Sequence, residues 1–479
     1  MLEKCFKLKS NGTTVRTELM AGLTTFMTMA YIIALNPNLL TNFGAEGAEL
    51  WNGVFMATCI ASAVGMFCMA FIANKPFALA PGMGLNSFFA VVVGNIVTMT
   101  GMTYVESFQS ALIIILVEGI VFIVLSLFNV REKIVESIPL GIRLGISPAI
   151  GLMLMNIGLG SNVSIYAAGN NFETPFFVMR DFFGALTPSV LQTAMGEAGY
   201  ATMILSTITM FVGLFVIIAM DKKGVKGAVL VGMLVASVVY WAGSFLFLHT
   251  NPFASLATAS FLPPVKDMVD TTLFKFNFAG FMEIGWFTVI TLIITFCIID
   301  MFDTIGTLVG TASRAGMVDE KGNMPNMKEA LLSDAIGTIA GACTGTSTVT
   351  TFVESASGVE AGGRTGLTAL ATGVLFLACI FIAPIAAIIP AAATSSALIY
   401  VGVLMLQGLS KVDFKDMDQM VPVFLMLLAM PVSGSIGHGI GLGLIAYTII
   451  KIFSGKFKEV SILTYVISAL FIVKFFLVV

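Results

Sequence analysis

Three carboxylates stand inside apolar stretches where a side chain of that type is expensive. Asp300 and Asp303 lie in Phe296-Cys-Ile-Ile-Asp-Met-Phe-Asp-Thr-Ile-Gly-Thr307. In a helix they are one turn apart and share a face. Glu354 lies in Ser347-Thr-Val-Thr-Thr-Phe-Val-Glu-Ser-Ala-Ser-Gly-Val-Glu-Ala-Gly-Gly-Arg-Thr-Gly366. Ionisable groups at membrane depth default to function, facing a cavity or a relay. A carboxylate can accept from substrate N–H groups. A carboxyl taken out of water also holds its proton more readily, so one that loads on one side and unloads on the other can couple transport to a proton gradient. Asp300, Asp303 and Glu354 are the candidates for that coupling. Asp303 has a structural alternative, capping a helix break or bonding to Thr304 or Thr307. Glu118, in another apolar run, can pair with Arg143, and Asp334 and Arg364 read as helix-end or loop residues.

The elements that must hold these groups follow from the flanking residues. Thr348 to Val353 is dense in β-branched side chains and favours an extended backbone. A helix can start at Glu354, with Ser355 or Ser357 as caps. A comparable break is Lys75-Pro-Phe-Ala-Leu-Ala-Pro-Gly-Met-Gly-Leu-Asn-Ser-Phe-Phe89. Pro76, Pro81, Gly82 and Gly84 disfavour a continuous helix, Phe77 to Ala80 can run extended, and a helix can begin near Gly84 or Leu85. Two such extended segments can pair and so satisfy backbone groups that lipid cannot. The half-helix ends, at Gly84, Leu85 and Val353, then offer free N–H groups and partial positive charge to a central site.

Of the 479 residues 57% are hydrophobic and 11% charged, against about 25% charged in soluble domains. Membrane-length apolar runs recur, without the period-2 alternation of a transmembrane barrel. Spans are expected at 19–40, 53–73, 77–98, 106–128, 138–160, 201–220 and 226–248. A second set is expected at 286–310, 328–343, 345–362, 366–389, 390–410, 419–434, 436–453 and 460–478. The stretch 421–453 reads as two short helices or one broken one, for a total of about 14 crossings. Basic residues recur in alternate loops (Lys75, Arg131/Lys133, Lys222/Lys223/Lys226, Arg314/Lys321/Lys328, Arg364, Lys411/Lys415). That places the N-terminus in the cytoplasm.

The chain repeats itself. Pro139 and Pro390, Gly151 and Gly402, and Asn156 and Gln407 share an offset of 251 residues. The expected fold is an all-α integral membrane protein of about 14 transmembrane helices, a 7+7 inverted repeat with extended segments in broken third and tenth helices. The six cysteines show no metal-type spacing, and no His/Cys grouping supports an enzyme. Neither a metal nor a cofactor is expected. The glycine-rich run Gly437 to Gly443 lacks the lysine of a phosphate loop and reads as helix packing.

Four motifs occur in order: Thr24-Thr-Phe-Met-Thr-Met-Ala-Tyr-Ile-Ile-Ala-Leu-Asn-Pro37, Pro81-Gly-Met-Gly-Leu-Asn86, Asp300-Met-Phe-Asp-Thr-Ile-Gly-Thr-Leu308 and Thr350 to Gly366. Together they resemble the guanine/hypoxanthine permeases, the azaguanine-permease branch of the nucleobase:cation symporter-2 family. The resemblance runs nearly end to end. It implies a cytoplasmic segment 1–18, a core domain of 19–128 and 286–389, a gate domain of 129–248 and 390–479, and an extracytoplasmic loop 249–285. It further implies proton-coupled uptake of purine bases, most simply hypoxanthine and guanine, through the cytoplasmic membrane by a homodimer. The partners are then the base, the proton and the lipid bilayer, with no nucleic acid. Adenine, xanthine or uracil, or passive conduction, are the alternatives on the same scaffold.

The family's site residues map onto Asn86, an aspartate (Asp300 or Asp303, with Asp300 favoured) and Glu354, with Phe352 or Phe88 to stack on the ring. Phe352 stands where relatives often carry tyrosine, and Val432-Ser-Gly-Ser-Ile436 where they often carry Thr-Tyr-Ser-Ile. A carboxylate can accept from N1–H of a 6-oxopurine while half-helix N–H groups donate to O6, a pattern that disfavours adenine.

Overall fold

The structure is a computed structural model. It describes residues 2–128, 138–160, 166–168, 180–182, 188–257, 259–314, 317 and 324–477. Arg131, Lys133 and Lys321, on which the topology expectation drew, lie outside the described residues.

Apolar composition dictates helices, because lipid leaves backbone groups no other partner. In chain order they are α1 (Val15–Met29), α2 (Ile32–Leu40), α3 (Ala48–Cys68), α4 (Met83–Thr100), α5 (Tyr104–Leu127), α6 (Leu140–Leu159), α7 (Pro188–Lys222) and α8 (Ala228–Gly243). There follow α9 (Trp286–Arg314), α10 (Met327–Thr344), α11 (Ser355–Glu360), α12 (Gly366–Ala378), α13 (Ala391–Met405), α14 (Met417–Ser433), α15 (Ile436–Phe453) and α16 (Ile462–Leu477). Among the described residues 11 helices are long and apolar enough to cross a membrane, with Met417–Ser433 and Ile462–Val473 as shorter apolar helices. Among the described residues four strands occur: β1 (Leu79–Pro81), β2 (Tyr166–Ala168), β3 (Arg180–Phe182) and β4 (Val349–Thr351).

Several details differ from the sequence expectation. The first membrane helix begins at Val15, so Glu18 lies inside it and is fully buried. Its carboxylate accepts from the backbone N–H of Arg364 (2.9 Å), Thr365 (3.3 Å) and Thr368 (3.2 Å), and from the Thr368 hydroxyl (2.6 Å). A negative group at the start of α12 complements the free N–H groups and dipole there. The stretch 421–453, by contrast, follows the first of its two expected readings and forms two helices, α14 and α15, turned at Gly434 with φ 62°. Asp334 is not a helix-end residue. It is well inside α10, with 0% exposure. The loop 249–285 contains short helices Val265–Thr271 and Phe278–Glu283 that pack on α3 and α5.

Two sets of helices pack mainly among themselves. In one, α10 lies on α3 and α5, α12 lies on α1 and α3, and α11 lies on α1. In the other, α6 lies on α13 and α14, α7 on α8 and α13, and α14 on α15. At the α6–α13 crossing, Gly151 and Gly402 meet. A methyl on either would sit 2.5 Å from the other's carbonyl oxygen. At the far end Lys451 of α15 pairs with Asp418 of α14 (2.5 Å) and with Glu459 (2.7 Å).

Candidate functional site

The site is built on two three-residue strands. Strands β1 and β4 pair antiparallel, in the register Leu79↔Thr351, Ala80↔Thr350 and Pro81↔Val349. The ladder is continued by Phe352 N–H to Ala78 O (2.9 Å) and Gly82 N–H to Thr348 O (3.1 Å). Ser355 also accepts from Ala78 N–H at 2.9 Å. The prolines prevent a helix on one side and the β-branched run disfavours it on the other. Pairing then satisfies the backbone of both. The close approach needs small neighbours: Val349 lies against Gly65 of α3 and Gly337 and Gly341 of α10. Each strand leads at once into a helix, β1 into α4 through Gly82 and β4 into α11 through Glu354, which occupies the N-cap position.

The hydroxyls of Ser347, Thr348 and Thr350 tie this strand pair to the surrounding helices. The Ser347 hydroxyl donates to Asn86 Oδ1, Thr348 donates to Glu118 Oε2 (2.7 Å), and Thr350 is bonded to Thr304 (2.6 Å). Asn86 is fully buried and its amide N–H donates to Pro81 O at 3.1 Å. Both ends of that side chain are therefore engaged with the two half-motifs. Phe88 is buried against Phe296, ring centroids 4.6 Å apart. Phe352 is buried beside the ladder, whereas Val353 is 53% exposed. Gly84 lies against Ile150 of α6, where the two helix sets meet.

The carboxylates divide into two groups. Glu354 is half-buried and its Oε1 accepts from the Tyr31 hydroxyl at 2.7 Å. Asp303 is also half-buried, and its Oδ2 lies 3.5 Å from where a methyl on Gly82 would stand. Asp303 lies one turn from Asp300 on α9, and α9 packs against α11, which Glu354 heads. Asp300 is fully buried one turn back, and Thr304 Oγ1 lies 3.0 Å from Asp300 Oδ1 and 3.1 Å from Asp334 Oδ1.

The structure thus brings Asp303, Glu354 and the Gly82–Gly84 helix start to one place, and sets Asp300 and Asn86 deeper. Sequence reasoning gave Tyr31 no role, paired Thr304 with Asp303 instead of with Asp300 and Asp334, and read Asp334 as a helix-end residue. Tyr31 sits inside a quoted motif, but its contact spans a sequence separation of 323 residues. Asp334 was detectable as a third acid in an apolar helix.

The family model described as "Permease family" (Xan_ur_permease) matches residues 16–439. The chain is 38% identical over 474 residues to the adenine permease AdeP of Escherichia coli strain K12, covering 99% of this chain and 96% of that one. It is 36% identical to the guanine/hypoxanthine permease PbuO of Bacillus subtilis strain 168, covering 98% of this chain and all (100%) of that one. Among solved structures, the transmembrane domain of the cyanobacterial bicarbonate transporter BicA is similar in fold, with TM-score 0.61 at 15% identity. That match covers 88% of this chain and 97% of the other.

Proposed function

The chain belongs to the permease family matched over residues 16–439, and on that premise we propose that it is a proton-coupled symporter importing purine nucleobases, hypoxanthine and guanine foremost. The family is one of transporters, so the chain is a multi-pass membrane permease and not an enzyme. The observation that carries the substrate reading is the Glu354 carboxylate, fixed by Tyr31 at the head of α11 and set near Asp303 and the start of α4. A carboxylate has about four acceptor positions, so Tyr31 leaves capacity for N1–H of a 6-oxopurine and the 2-amino group of guanine. The N–H groups in the first turn of α4 suit O6, whereas those of Ser355, Ala356 and Ser357 at the start of α11 are taken by the carbonyls of Phe352, Val353 and Glu354. Asp303 is the substrate-side aspartate in this scheme, and Asn86 positions the two half-motifs rather than meeting the base. Phe352 and Phe88 supply the apolar wall.

Adenine is the second reading, favoured by the 38% identity to an adenine permease. It requires a protonated Glu354 that donates to N1 while accepting from the 6-amino group. Anion transport, the activity in the name of the structurally similar bicarbonate transporter, fits poorly, since two carboxylates at the half-helix ends repel an anion.

The remaining expectations belong to the same proposal. Two inverted halves are supported by the Gly151–Gly402 contact. Residues at the same position in each half, identified by their common offset, touch each other reciprocally, as positions on a pseudo-two-fold axis must. The packing of the helices in two sets supports a core of 19–128 and 286–389 and a gate of 129–248 and 390–479. Lys451 ties the end of α15 to the start of α14, which groups Lys411, Lys415, Lys456 and Lys458 on one side. That is the cytoplasmic side, with the N-terminus, in the cell membrane. By the family resemblance the working unit is a homodimer.

Equilibrium binding to the purified protein tests the substrate reading. Radiolabelled hypoxanthine is expected to bind and to be displaced by guanine more strongly than by adenine, with no displacement by bicarbonate. Stronger displacement by adenine would instead establish the second reading, and displacement by bicarbonate alone would overturn both.

A further inference from the structure

Thr304 is asked to do more than one proton allows. Its hydroxyl oxygen is within hydrogen-bond distance of Asp300 Oδ1 (3.0 Å), Asp334 Oδ1 (3.1 Å) and Thr350 Oγ1 (2.6 Å). A hydroxyl has one proton to give and two lone pairs to accept with. Thr350 can donate to it, and it can donate to one aspartate. The second aspartate then bonds to Thr304 only by donating, which a carboxyl does when protonated. Sharing the one proton between two ionised acids would leave two like charges around one hydroxyl, both at 0% exposure. Like-charged carboxylates that close do not both ionise; one keeps its proton.

From this geometry we infer that Asp300, Thr304 and Asp334 form a proton-holding site of their own, behind the substrate site, and that the proton it exchanges is the one coupled to transport. This rests on the proton-coupled reading above and goes beyond it, by assigning coupling to a pair that does not face the base. Substrate contact falls to Glu354 and Asp303, and proton storage to Asp300 and Asp334. The link between them is β4. Thr350 bonds to Thr304 from the strand that leads, four residues on, into Glu354. A shift of β4 on substrate binding changes the Thr350–Thr304 bond and hence which aspartate Thr304 can serve.

The other titratable groups around the pair are Asp303 on α9 itself, Glu354 at the head of α11, and Glu118 on α5, held by Thr348. Among the side chains described, the remaining charges on helices packed against α9 and α10 lie near helix ends: Glu49 on α3, Glu106 on α5, Arg143 on α6, Glu360 on α11, and Lys328 and Glu329 on α10.

The test uses the full chain in proteoliposomes with radiolabelled hypoxanthine or adenine, whichever the wild type accumulates. Two rates are read at several pH values: accumulation driven by an inward proton gradient, and base-for-base exchange without one. Asp334→Asn and the near-isosteric Thr304→Val are expected to keep exchange but to accumulate no more than de-energised wild type, with a flattened pH dependence. Thr304→Ser, which retains the hydroxyl, is expected to behave as wild type. Gradient-driven accumulation by both Asp334→Asn and Thr304→Val with the wild-type pH profile would overturn the assignment. So would loss of exchange together with accumulation in all three variants, which would mark the trio as scaffold. Wild-type accumulation indifferent to the gradient would instead remove the coupled reading itself, so the two failures are distinguishable.

Discussion

Glu354→Gln is expected to abolish nucleobase uptake at working concentrations while leaving the protein folded. Tyr31 donates to Oε1, and a glutamine carbonyl can take over that bond. The other end of the side chain then becomes an NH2 donor facing the N1–H donor of a 6-oxopurine. One charge-assisted bond is lost, about 1.5–3 kcal/mol, and a donor is left unpaired, about 1–3 kcal/mol. Together these come to roughly 2.5–6 kcal/mol, or about 10²- to 10⁴-fold in apparent affinity. Glu354 is half-buried at a helix start and does not lie in a packed core, so elution and thermal stability in detergent should stay near wild type. Uptake and direct binding of hypoxanthine measure the effect. Wild-type affinity in Glu354→Gln would remove this carboxylate from the site.

A second large effect is expected on stability, at the crossing of α6 and α13. In Gly402→Val the new Cβ would lie 2.5 Å from the carbonyl oxygen of Gly151, and Met155 also crowds the position. The obstacle is backbone, so the helices must separate. Overpacking of this kind costs about 1–3 kcal/mol for added methylenes and more where nothing flexible can yield. Gly151→Val meets Gly402 in the same way. Each is expected to lower the Tm in detergent by on the order of 5 °C or to prevent recovery of monodisperse protein. The milder pair Gly151→Ala and Gly402→Ala should be non-additive when combined, because one separation relieves both clashes. Gly94→Ala, a helical glycine with open space around it, should be neutral or slightly stabilising. Equal stability of all these variants would mean that the crossing is looser than described.

What could be read from sequence depended on whether the signal was local. The class of protein followed from apolar run length, and the strands from Pro76, Pro81 and the Thr348–Val353 run, because proline sterics and β-branching act within a residue or two. Glu354 and the aspartates of α9 stood out because charge is costly in lipid. What could not be read was which acids face the same space. Asp300 and Asp303 differ by one turn, yet Asp303 is beside Gly82 while Asp300 turns towards Asp334. Helix rotation is set by packing against other helices and leaves little local trace. Glu18 likewise looked like the end of a polar leader, since its partners lie 346 to 350 residues away. Asn86 was legible as a polar residue at the break, but its use on Pro81 and Ser347 required the strand pairing to be known.

The central claim, proton-coupled purine uptake, is tested most directly by following radiolabelled hypoxanthine in cells lacking their own purine permeases, with and without a protonophore. Accumulation above the external concentration is expected, with collapse of that accumulation on adding the protonophore and competition by unlabelled guanine. Uptake that only equilibrates and is unchanged by the protonophore would contradict it, and would make the protein a passive nucleobase pathway.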